Sequence, residues 1–128
     1  MDTALLCGFT PERSSQVVSL LRFMKIFPRT IGDADYDRTV GELLAAGGNV
    51  PGGTCEVDRE EVLILNMPER RIRDLLQRFR RHGIRRPELI CMVTPTNRDW
   101  TVYELEKQLK MEREAFRNGG IAHEEKET

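Results

Sequence analysis

The chain is poor in the residues that most often carry chemistry. Of 128 residues, three are cysteine, two are histidine, one is tryptophan, and aromatics make up 6%. Cys7, Cys55 and Cys91 form no CxxC pair and no metal-ligand spacing, which excludes the common zinc and dithiol motifs. An odd cysteine count suits a reducing compartment better than a secreted disulfide framework. Cys7 and Cys91 sit inside apolar runs and read as small buried thiols. His82 ends an arginine-rich stretch and His123 lies in a polar tail, and neither has a nucleophile at local spacing. No apolar stretch approaches the roughly 18 residues of a membrane span. The opening Met1-Asp2-Thr3 lacks the basic and apolar regions of a signal peptide, so a cytoplasmic location is expected. Lys plus Arg is 20 and Asp plus Glu is 21, so no global field draws the chain to nucleic acid or membrane. Glycine-rich residues 47–53 are followed by no GK[ST], which removes the phosphate-loop reading.

What is present is a strand–helix–strand–helix pattern, met twice. Ala4-Leu5-Leu6-Cys7 is a short continuous apolar run, as in a buried strand. Thr10 can cap a helix whose first turn accepts Pro11, and Val17, Leu20, Leu21 and Met24 recur at helical spacing. Residues 25–28 end that helix, and Arg29-Thr30-Ile31 is a weak second strand. Thr39-Val40-Gly41-Glu42 is a capping box that opens a short helix through Leu43 and Leu44. The pattern restarts at Val62-Leu63-Ile64-Leu65. Met67-Pro68-Glu69-Arg70 opens a helix with the stripe Ile72, Leu75, Leu76 and Phe79, and Gly83 closes it. Leu89 to Val93 is a strong strand. Thr101-Val102-Tyr103-Glu104 is another capping box, and the last helix uses Val102, Leu105, Leu109 and Phe116.

Pro11-Glu12-Arg13 corresponds to Pro68-Glu69-Arg70, and Thr39 to Leu43 corresponds to Thr101 to Leu105. An internal duplication accounts for this order. The expected fold is α/β, with two strand–helix–strand–helix halves around one four-stranded, mostly parallel sheet. One domain is expected over residues 1–120, with halves at 1–46 and 59–118, a glycine-rich linker at 47–58 and a flexible tail at 121–128. An α+β arrangement with one antiparallel strand is the alternative. With all strands parallel, residues 8–10, Asn66 and residues 94–98 would meet in one cleft at the strand ends.

The second half carries a resemblance. Leu89 to Val93 runs into Thr94-Pro95-Thr96-Asn97, then Trp100-Thr101 opens a helix with Glu104-Leu105. This order and spacing resembles a prokaryotic family of uncharacterised domains, domain of unknown function 3783. The resemblance covers about residues 62–116 and implies no activity, cofactor or catalytic residue. In the first half, Asp33-Ala34-Asp35-Tyr36-Asp37-Arg38 stands where the TPTN segment would be, so any role of that segment need not be duplicated. The three alternating aspartates suit helix initiation better than a metal loop. Pro95 keeps Thr94 extended, Asn97 can fix a turn, and Trp100 can staple the helix start against Leu105.

Charge is unevenly placed. Residues 69–98 hold nine arginines against three acids, a net +6, whereas residues 1–68 hold six basic against ten acidic residues. Arginine presents a rigid fork suited to phosphate or carboxylate. The expected function is a small non-enzymatic binding module for a protein partner, a second copy or a small anion. Its surface would be Thr96, Asn97, Arg98, Arg70, Arg71, Arg78 and Arg81. Nucleic-acid binding through the arginine helix is the alternative, with Phe9, Tyr36, Trp100 and Tyr103 as the stacking aromatics. A small enzyme assembled only by the fold is a further one. No cofactor and no metal is expected.

Overall fold

The computed structural model describes residues 2–45 and 60–117. The linker and tail expected at 47–58 and 121–128 lie outside the described residues, as do Cys55 and His123. The elements are β1 (Thr3–Cys7), α1 (Pro11–Phe23), β2 (Phe27–Ile31), α2 (Val40–Ala45), β3 (Val62–Asn66), α3 (Glu69–Arg81), β4 (Leu89–Met92) and α4 (Val102–Ala115). The strands form one sheet in the order β2-β1-β3-β4. β1 pairs parallel with β2, and β3 pairs parallel with β4. The two central strands pair antiparallel, with Leu5 opposite Ile64. The sheet is therefore mixed, and its order and directions are those a twofold axis beside the Leu5–Ile64 pair would generate.

Side chains alternate across the two central strands, yet both faces are covered. Ala4, Leu6, Leu63 and Leu65 meet Val17, Leu21, Leu75 and Phe79 from α1 and α3. Leu5, Cys7, Val62 and Ile64 meet Val40, Leu43, Val102 and Leu105 from α2 and α4. A strand buried on both sides has no polar face to present, and this is why VLIL shows no alternation in sequence. Each valine, leucine, isoleucine or phenylalanine among them stabilises the fold by roughly 1.5–3 kcal/mol. Phe116 does not join this core, being 67% exposed just beyond α4.

The local signals act as the sequence implies. The Thr10 hydroxyl accepts the Arg13 N–H at 3.3 Å. In both capping boxes the threonine N–H donates to the glutamate carboxylate at 2.9 Å, and the glutamate N–H returns a 3.1 Å bond to the threonine hydroxyl. The two boxes also touch. Thr39 and Thr101 form an antiparallel bridge, the Val40 N–H donates to the Trp100 carbonyl at 2.9 Å, and the Val102 N–H to that of Arg38 at 3.2 Å. The connections into α2 and α4 thus meet over one face of the sheet and satisfy helix-start donors reciprocally.

One detail departs from the sequence reading, the start of the second strand, and two are consistent with it. β2 begins at Phe27 and takes in Pro28, which an edge strand tolerates because its outward side needs no donor. α3 begins at Glu69, with Pro68 as its cap. Trp100 is half-buried at the margin of the α2–α4 core.

Candidate functional site

The antiparallel centre of the sheet settles where the loop ends go. Cys7 lies opposite Val62, and Thr3 opposite Asn66. Residues 8–10 therefore leave the sheet where β3 starts, while Asn66 and Thr94 leave it at the other end. The single cleft expected of an all-parallel sheet does not form. Gly8 instead closes its own end tightly. Its φ is +79°, and a Cβ there would lie 2.4 Å from the Glu60 carbonyl oxygen.

The segment from Thr94 to Arg98 is built inward. Leu89 and Val93 donate their N–H groups to β3, so the alternate residues Ile90, Met92 and Thr94 turn their backbone away from it. Asn97 is 8% exposed, and its carboxamide accepts the Thr94 N–H at 2.9 Å and donates to the Met92 carbonyl at 3.1 Å. The side chain thus covers the free edge of β4 as a short piece of neighbouring strand would. The Thr94 hydroxyl accepts the Asn97 N–H at 3.0 Å. Thr96 and Arg98 are exposed, and the Arg98 backbone lies against Gly41 of α2.

The arginines divide into two groups. Some are struts. Arg71 pairs with Asp2 at 2.9 Å and donates to the Met24 carbonyl at 2.7 Å, tying α3 to the first unit. Arg13 grips the buried Glu61 through two bonds of 2.7 and 2.9 Å. Arg29 reaches the free carbonyls of Leu43 and Leu44 at the end of α2. Arg113 pairs bidentately with Glu60, and this bond holds the Glu60 carboxyl below its usual range.

The others face solvent. Arg70, Arg80 and Arg81 are exposed and have no ion pair among the described residues. Arg78 lies with its guanidinium carbon 5.4 Å from the centre of the Phe23 ring. His82 meets the same ring edge-on, with centroids 6.2 Å apart. Phe23, on α1, is 64% exposed. The sequence reading missed it, because a phenylalanine beside a helical apolar stripe is indistinguishable from core. Two of the aromatics expected at the surface are internal instead, Phe9 at 1% and Tyr36 at 0% exposed. Tyr103 is half exposed and lies across the sheet with α4, edge-on to Tyr36.

An open depression of about 630 Å³ runs along α4 between Tyr103 and Met111. Its charged rim is partly self-neutralised, Lys110 lying 3.3 Å from Glu106. Burial pushes the Cys91 thiol up to about 12, so its nucleophilic form is scarce at neutral pH. Among the described residues no group of three His, Cys, Asp or Glu side chains could hold a metal ion. No helix among them is long and apolar enough to cross a membrane.

Residues 60–116 match the family model described as Domain of unknown function (DUF3783). The match begins at the residue before Glu61 and ends just past α4, so it spans the β3-α3-β4-α4 unit. No curated protein and no solved structure gives a match.

Proposed function

We propose that this chain, a DUF3783 unit joined to a second unit of the same element order, is a small non-enzymatic binding module for an anionic partner. Its working surface is the outward face of α3 with the adjoining end of α1. The observation that carries this reading is the set Arg70, Arg78, Arg80 and Arg81. Arg70, Arg80 and Arg81 neither brace the fold nor pair with carboxylates among the described residues, unlike Arg71, and Arg78 packs on the Phe23 ring without a carboxylate partner among them. Four guanidinium groups held apart on a rigid helix repel one another and gain from a ligand bearing phosphate or carboxylate groups. Thr96 and Arg98 extend the exposed polar surface elsewhere, whereas Asn97 and Arg71 have their hydrogen-bonding capacity committed internally.

The duplication inferred from the sequence belongs to the same proposal. Two copies of one unit share the sheet, and the basic α3 face belongs to the second copy. The test is titration of the full chain with inorganic polyphosphate and with polyglutamate at low and at physiological salt. The reading expects saturable, salt-weakened binding of at least one. Arg78→Glu with Arg81→Glu should abolish it and leave the unfolding midpoint unchanged. Absence of binding to both polymers at low salt refutes the reading.

A further inference from the structure

We infer that the anionic partner is a single-stranded nucleic acid, engaged by the exposed Phe23 ring and by the furrow between α1 and β2. This rests on the binding-module reading above and names its ligand class.

The first support is chemical composition around the ring. Residues 13–32 contain Arg13, Arg22, Lys25 and Arg29 and no acidic residue at all. Arg13 and Arg29 are used internally, but Arg22 and Lys25 are exposed and form no ion pair among the described residues. From α3, Arg78 and His82 reach the ring itself. Arg78 covers one side of the ring in a favourable cation–π contact, and Phe23 is still 64% exposed, which leaves ring surface for a nucleobase, whose stacking on such a ring tolerates any sequence. Carboxylate partners offer nothing for the ring.

The second support is shape. Two shallow depressions, about 320 and 380 Å³, share Arg22 and Pro28. They form one furrow that follows α1 from Ser14 and Ser15 past Arg22 to Lys25 and Phe27. One end carries the Ser14 and Ser15 hydroxyls and the other the Arg22 and Lys25 cations, all of which can donate to phosphodiester oxygens, and Phe23 follows Arg22 in α1 just outside the lining. A peptide strand is disfavoured there. The Phe27 N–H donates inward to Asp2, so by alternation Pro28 and Thr30 turn their backbone outward, and Pro28 has no N–H to give at the first of these positions. A duplex is disfavoured too, because its base faces are stacked on each other and closed to Phe23.

The experiment is fluorescence anisotropy with the full chain and three labelled probes (a 12-nucleotide single strand of uridine, a 12-base-pair duplex, and inorganic polyphosphate of matched charge), with polyglutamate titrated alongside. The single strand should bind at least tenfold more tightly than the duplex. Phe23→Ala should weaken single-strand binding by roughly 10- to 100-fold and leave polyphosphate binding unchanged. Phe23→Trp should restore it. Arg22→Ala should lower the salt slope for the single strand by roughly 0.7. Because Phe23 is exposed, these variants are expected to keep the wild-type unfolding midpoint, which is measured alongside. Equal affinity for all three probes, with no effect of Phe23→Ala, overturns the inference while the polyanion reading stands. Tighter binding of polyglutamate than of the single strand overturns it in favour of an acidic protein. No binding of any probe or of polyglutamate overturns both.

Discussion

Replacing Lys25 by glycine is expected to stabilise the protein. Lys25 has φ +60°, the left-handed region, directly after α1. Its N–H donates to the Arg22 carbonyl at 3.0 Å, and the Ile26 N–H reaches back to that of Leu21 at 2.9 Å. The same turn follows α3, where Gly83 has φ +66° and donates to Arg80 at 3.1 Å, and Ile84 donates to Phe79 at 2.9 Å. One geometry is therefore built once with glycine and once with a side chain. Removing the Cβ relieves about 1–2 kcal/mol of backbone repulsion. Glycine's greater freedom in the unfolded chain costs about 0.5–1 kcal/mol in return. The net expectation is about 0.5–1 kcal/mol of stabilisation, or roughly 2–4 °C in Tm. The Lys25 side chain is exposed and has no ion pair among the described residues, so its loss adds little. Gly83→Ala is the matched control. No atom lies within 4 Å of the added Cβ, so the change should destabilise by backbone strain alone, by about 1 kcal/mol. Urea unfolding followed by the fluorescence of Trp100 measures both. A Lys25→Gly protein less stable than wild type refutes the reasoning.

Gly8→Ala combines a left-handed φ with a Cβ driven into the Glu60 backbone, and should destabilise by about 2–5 kcal/mol; a midpoint within error of wild type would show that the loop yields. Asn97→Ala leaves the Thr94 N–H and Met92 carbonyl without their partner and should cost about 1–3 kcal/mol by chemical unfolding, with Asn97→Asp restoring only the acceptor half. The lowered pKa of Glu60, set by its bond to Arg113, contributes stability that is present above the ordinary carboxylate value of 4.5 and lost as pH falls through the lower folded value. Glu60→Gln should accordingly flatten the loss of stability on the acid side of a pH–Tm profile. Cys91 is half-buried with its thiol raised to about 12, and should resist iodoacetamide at pH 8 in the folded chain and react once urea unfolds it; rapid labelling at position 91 in the native protein would contradict the raised pKa.

The sequence by itself determined the elements. Capping boxes at Thr39 and Thr101, the Thr10-Pro11 start and the Gly83 stop act within one turn of chain, so their residues suffice to specify them. Both-sided burial of the strand Val62 to Leu65 was equally legible, because a strand without alternation has no face to give to water. The resemblance of residues 89–105 to the DUF3783 family was legible for the same reason, being carried by order and spacing. Only the tertiary structure decided the direction in which the two units meet. Periodicity is blind to whether neighbouring strands run parallel, and the antiparallel Leu5–Ile64 pairing is what separates Gly8 from Asn66 and removes the expected cleft. It also decided which arginines are free. Arg70 and Arg71 are adjacent and alike in sequence, but only Arg71 comes within reach of Asp2 and Met24, some 69 and 47 positions away along the chain. Phe9, Tyr36 and Phe23 were sorted in the same way. An aromatic ring is core or surface according to what covers it, and the cover comes from residues distant in sequence.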